Sequence, residues 1–165
     1  MVGESVGGRV PIAVPAGQLD RTAQSSPVPP LRKSPHEYRA FRISPGDTNR
    51  LAIIFDPVAE NVPFIACVEI FDVGGRTPPN AHARAHEMFF VLKGEGLAHA
   101  DGVTVPIKAG DSLLVPPGSV HVIENTGPTR LYTLTLMVPD EEFAALIRSG
   151  TEVELDDEDR AVLGR

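Results

Sequence analysis

Between Glu37 and Val138 the chain never sustains a helical repeat. Short apolar or alternating runs are cut at close intervals by Gly, Pro, Asn and Asp, which is how strands joined by tight turns read in a sequence. The runs are YRAFRI, RLAIIFD, FIACVEIF, MFFVLKG, LAHAD, VTVPI, SLLVP, VHVIEN and RLYTLTLM, separated by PGD, GGRTPPN, DG, KAGD, PPGS and NTGP among others. With no helix between them, such strands can bury their apolar faces only against one another. A sandwich or small barrel follows.

The flanks differ. Residues 1–35 are rich in Pro, Gly, Ser and Ala, end in SSPVPPLRKSP, and read as an N-terminal arm or linker. Residues 36–138 are expected to hold the β domain. In 139–165, VPDEEFAALIRSG predicts a helix from about 140 to 148, capped by Asp140 and closed by Gly150. Phe143, Ala144, Leu146 and Ile147 fall on one face, which should pack on the outside of the β domain. The tail ELDDEDRAVLGR offers a short second helix, with its charge run read in preference as a solvated face.

Length and charge narrow the function. A chain of 165 residues, 42% apolar, supports one core. Its 22 acidic and 15 basic residues give a net charge of -7, and no basic run offers a face to phosphates, so nucleic acid is not an expected partner. No segment reaches the ~20 apolar residues of a membrane span, and a soluble cytoplasmic protein is expected. The lone cysteine, Cys67, sits in an apolar run and reads as a small buried hydrophobe.

Chemistry concentrates in two stretches, NAHARAHEMFFVLKGEG from Asn80 and GDSLLVPPGSVHVIEN from Gly110. Alternate residues of a strand share a face. If Glu87 points inward with Phe89 and Val91, His86 points outward with Met88, Phe90 and Leu92. His121 opens a later strand. His82, Glu87 and His121 thus come from neighbouring strands, and two imidazoles with one carboxylate make a facial set suited to Fe(II), and usable by Mn, Ni, Co or Zn.

These stretches resemble the two motifs of the cupin superfamily. The first motif is a glycine, five residues, a histidine, one residue, a histidine, three or four residues, a glutamate, six residues and a glycine. Here Gly74, Asn80, His82, Glu87 and Gly94 fill it, with Asn80 in place of the first histidine. The second is matched at every position by Gly110, Pro116, Gly118, His121 and Asn125. The resemblance implies an antiparallel jelly-roll β-barrel. It carries over His82, Glu87 and His121 as metal ligands, with Asn80 as a weak fourth and His86 as a less favoured substitute. It also implies a divalent transition metal, Fe(II) first, a small-molecule substrate and pairing into a homodimer.

Phe89, Val91, His99 and Tyr132 are the expected pocket residues, and Glu87 is the expected catalytic residue as well as a ligand. Three functions fit: an Fe(II) dioxygenase or related oxidoreductase, a non-redox isomerase, lyase or decarboxylase, and a small-molecule-binding protein without turnover.

Overall fold

The computed structural model describes residues 29–164, and the compact unit begins at Lys33. Residues 1–28, most of the expected arm, lie outside the described residues. The strands are β1 (Arg39–Arg42), β2 (Asn49–Phe55), β3 (Ile65–Phe71), β4 (His86–Lys93), β5 (Glu95–Ala100), β6 (Val103–Lys108), β7 (Ser112–Val115), β8 (His121–Glu124), β9 (Leu131–Val138) and β10 (Thr151–Val153). Two helices, α1 (Phe143–Ser149) and α2 (Asp157–Leu163), flank β10.

The strands form a seven-stranded sheet in the order β10-β1-β2-β3-β9-β4-β7 and a three-stranded sheet in the order β6-β5-β8. Each pair of neighbouring strands is antiparallel. The fold is an all-β jelly roll, and the nine runs read from the sequence coincide with β1 to β9. β10 was not among them, because three residues are too few to show alternation.

Between the sheets, Phe71, Phe89, Val91, Ala98, Ile123 and Leu131 pack into one cluster. A second cluster, with Phe41, Leu51, Ile53, Ile65 and Met137, is completed by Ala144 and Ile147 of α1. This corrects the expected place of the helix. Phe41 pairs with Leu51, and Leu51 with Glu69 of β3, so the face that receives α1 is the one that bears the pocket-lining Leu51 and Glu69. The helix therefore closes the barrel interior rather than covering its outside. It also starts later than expected. Glu141 and Glu142 take left-handed φ values of 48° and 66°, and Asp140 Oδ1 accepts from the Ala144 backbone N–H at 2.9 Å.

The outer face is covered by the acidic tail, which is a further correction. Ala40, Ala52, Val68, Ile70 and Tyr132 pack with Leu155, and Val162 and Leu163 of α2 lie against them. A solvated face was expected there because a run of acids normally seeks water. Asp159, from the middle of that run, is fully buried. Arg50 Nη2 donates to both of its oxygens at 2.8 Å, Arg130 Nη1 donates at 3.2 Å and the Tyr132 hydroxyl at 3.0 Å. Two guanidinium groups repay the desolvation of one carboxylate. Asp156 caps α2 by accepting from the Asp159 backbone N–H.

Candidate metal centre and pocket

The first motif enters β4 through a loop pinned on both sides. Asn80 and His121 exchange backbone hydrogen bonds of 3.2 and 2.9 Å, and the Gly118 N–H donates to the His82 carbonyl at 2.7 Å. Gly118 can do so because its φ of 80° belongs to the left-handed region that glycine adopts freely. On the outer side of the loop, the Glu141 carboxylate accepts from the backbone N–H groups of Ala83 and Arg84 at 3.1 and 2.7 Å. Gly118 and the Asn80–His121 bridge thus fix the backbone that aims the imidazoles.

Glu87 and His121 are buried and His82 is half-buried. Glu87 Oε2 lies 3.0 Å from His82 Nε2 and 2.9 Å from His121 Nε2. All three donor groups fall within 4.8 Å of one another. His121 Nδ1 sits 3.1 Å from the Ser119 carbonyl, and donation there leaves Nε2 as the atom directed at the cluster.

Burial pushes the Glu87 carboxyl up, but hydrogen bonds from His121 and His82 outweigh it and hold it below its ordinary value. His121 is the reverse. Burial pulls its pKa down, while the bonds to Glu87 and to the Ser119 carbonyl raise it overall. Two imidazoles aimed at one carboxylate oxygen are held together by protons that a divalent cation can replace. The donor set fits such an ion on chemistry and on proximity.

The cluster opens into a pocket of about 650 Å³, within the range of small-molecule sites. Phe89 lines it, together with Ile43, Leu51, Phe143 and Leu146 as apolar wall. Asn80 also lines it, with its Nδ2 donating to the Pro78 carbonyl at 3.1 Å.

The remaining expected pocket residues sit elsewhere. Val91 shares the inward parity of Phe89 but is enclosed in the inter-sheet cluster. His99 is on the three-stranded sheet, bonded to Thr104 Oγ1 at 2.9 Å and Glu124 Oε2 at 3.1 Å. Tyr132 points to the other face of its sheet, toward Asp159. An odd or even position names a face, but it does not say whether that face meets a cavity at that level. His86 is exposed on the outer side of β4, away from the cluster, as strand alternation requires.

Sequence reasoning missed Asn49 and Glu69, which also line the pocket. Asn49 Nδ2 donates to Glu69 Oε1 at 2.6 Å, and both residues are 4% exposed. Burial first, then the charge of Glu87, push the Glu69 carboxyl up to about 8, against the opposing bond from Asn49. A lone acid inside the apolar run IACVEIF was the available signal, since buried acids are rare without a purpose.

Comparison with known proteins places this geometry. The family model of the cupin domain matches residues 67–138. An oxalate-binding protein of Thermotoga maritima is 39% identical over 69 residues, 38% of this chain and 57% of that protein. Oxalate oxidase 1 of Hordeum vulgare is 34% identical over 70 residues, 38% of this chain and 35% of that protein. The matched segments therefore span little more than half of the first relative and about a third of the second. The crystal structure of a predicted oxalate decarboxylase from Thermotoga maritima superposes with a TM-score of 0.60 at 28% identity, over 66% of this chain and 99% of that one. No helix among the described residues is long and apolar enough to cross a membrane. With the jelly roll, both motifs and the family match in agreement, residues 67–138 of the chain form a cupin domain of the cupin-2 type.

Proposed function

We propose that the protein is a metal-dependent oxidoreductase of the Fe(II) dioxygenase type, acting on a small organic molecule. The observation that carries this reading is the convergence of His82 Nε2, His121 Nε2 and Glu87 Oε2 at the wall of a pocket large enough for substrate. Two imidazoles and one carboxylate would hold the ion on one side. A ferrous ion in that set supplies the capacity to activate O2.

The chain's own residues do the rest. Ser119 orients His121, Glu87 offers a carboxylate that can remain a ligand or accept a proton, and Phe89, Leu51 and Phe143 exclude water from the bound molecule. A non-redox reading, in which the ion polarises a carbonyl for decarboxylation or elimination, is supported by the name of the structural neighbour, a predicted oxalate decarboxylase. Metal content and oxygen uptake separate the two. Iron bound by wild type and lost in His82→Ala, with O2 consumed on addition of substrate, supports the oxidoreductase; product release without O2 uptake supports the alternative.

Pairing into a homodimer belongs to the same reading. On the outer side of β4, β7 and β9, Phe90, Leu92, Leu114 and Val138 are 37%, 38%, 63% and 40% exposed, an apolar face of the kind that a second copy would bury. Light scattering on wild type and Phe90→Lys tests it, with a monomeric wild type as the contrary result.

A further inference from the structure

The charges around the pocket bear on what it admits. Five carboxylates line it, from Asp47, Glu69, Glu87, Glu141 and Glu142, and no lysine or arginine does among the described residues. Glu141 is engaged by the backbone of Ala83 and Arg84, and Glu87 by the two histidines. Glu69 has only the Asn49 amide.

That leaves Glu69 without a compensating cation. Its Oε2 has no hydrogen-bond partner among the described residues. Asn49 Oδ1 likewise accepts no hydrogen bond although it is buried. The wall that Asn49 and Glu69 form is therefore short of donors, and a carboxyl so placed is costly unless a ligand brings positive charge or N–H groups to it.

We propose that Asn49 and Glu69 form a second polar subsite that takes the protonated amine of a ligand whose chelating oxygen occupies the metal centre. The substrate class is then a small amine-bearing molecule with an apolar body, and not a dianion of the oxalate kind. A dicarboxylate would bring a second negative charge into a pocket whose walls supply no guanidinium or ammonium to meet it. An ammonium would reverse the repulsion that Glu69 feels from Glu87. Ile43, Leu51 and Phe143 offer the apolar walls for the body between the two ends.

Use of the subsite by a chelating substrate rests on the metal reading above, whereas the subsite itself does not. The test accordingly has two arms at pH 8, both read by calorimetry. In Zn(II)-loaded protein the probes are dopamine, 4-ethylcatechol and 3,4-dihydroxyphenylacetate, which share a chelating head and carry a cationic, neutral or anionic tail. In metal-free protein the probes are 2-phenylethylamine and phenylacetate.

About tenfold tighter binding of the amine than of the neutral or acidic analogue is expected in both arms, the worth of roughly one charge-assisted hydrogen bond, and Glu69→Gln should abolish it. Should Glu69→Gln fail to fold, the side-chain amide signals of Asn49 in wild type report instead, shifting with 2-phenylethylamine and not with phenylacetate. Equal ranking of the metal-free probes, tighter binding of phenylacetate, or no binding of either would overturn the subsite. A protein that takes up no zinc but still prefers 2-phenylethylamine refutes the metal reading and leaves the subsite standing.

Discussion

Glu87 and Asp159 are both buried carboxylates with several partners, yet they are built for opposite ends. Asp159 is enclosed by Arg50, Arg130 and Tyr132, of which Arg50 and Tyr132 are themselves buried. Its cations are permanent, because a guanidinium does not lose its proton near neutral pH. Glu87 is met by two imidazoles, whose protons are exchangeable, on the wall of an open pocket. The first cluster fastens the tail to the sheet. The second holds its charges where a cation or a ligand can enter, which is how a functional site differs from a structural ion pair of similar burial.

Breaking the closed cluster should have the largest effect on the molecule. Asp159→Ala leaves Arg50, whose side chain is 6% exposed, with only the half-buried Asp72 at 3.0 Å as counter-charge, and a loss of about 3 kcal/mol is expected, the low end for breaking a buried pair. Urea unfolding monitored by circular dichroism measures it. Metal uptake by the folded fraction should be unchanged; impaired uptake would mean that the two clusters are coupled through the sheet.

Breaking the open cluster should invert that outcome. Glu87→Gln removes the charge between the imidazoles, and metal affinity should fall at least ~100-fold, beyond the effect of losing an outer-shell partner. Stability of the metal-free protein should change by no more than about 1 kcal/mol, since desolvation of Glu87 already opposes its hydrogen bonds. A large loss of stability in this variant would reassign the triad as structural.

The sign of the pH response separates the pocket from ordinary surface acids. Glu69 titrates at about 8 in the folded protein, against 4.5 as the ordinary value, so the folded state holds a proton that the unfolded state has released between those limits. Its contribution is fully present below pH 4.5 and is lost as pH rises through about 8, a decline of roughly 5 kcal/mol in all. Thermal unfolding of metal-free protein between pH 5 and pH 8.5 should show that decline, and Glu69→Gln should flatten it. A flat wild-type profile would mean that Glu69 has a cationic partner in solution.

Much of the molecule was legible from strand alternation. Glu87 inward and His86 outward, and the nine runs of β1 to β9, follow from a two-residue period and turn chemistry alone. Asn80, His82 and His121 were placed by the motifs. What the sequence concealed depends on long-range enclosure. Nothing local to DDEDR marks Asp159 as buried, since its partners Arg50, in β2, and Arg130, in the loop before β9, lie 109 and 29 residues away. Tyr132 and His99 carried the right chemistry for a pocket, but parity did not reveal which face of which sheet the cavity meets.

Asn80 and His86 give the smallest effects and sharpen the comparison most finely, because each concerns a fourth ligand. His86→Ala should alter metal affinity less than about twofold, its side chain lying exposed on the outer side of β4. Asn80→His should tighten binding by roughly tenfold, as an imidazole is a better donor to transition ions than an amide oxygen. The backbone bridge between Asn80 and His121 already holds that position beside the cluster, so no loop needs to move, and the Pro78 carbonyl that Asn80 Nδ2 now engages remains at the rim. Metal competition with a coloured chelator reads both variants in one titration. Weaker binding in Asn80→His would show that the open position is filled by ligand or water in the working site, and that the asparagine keeps it free.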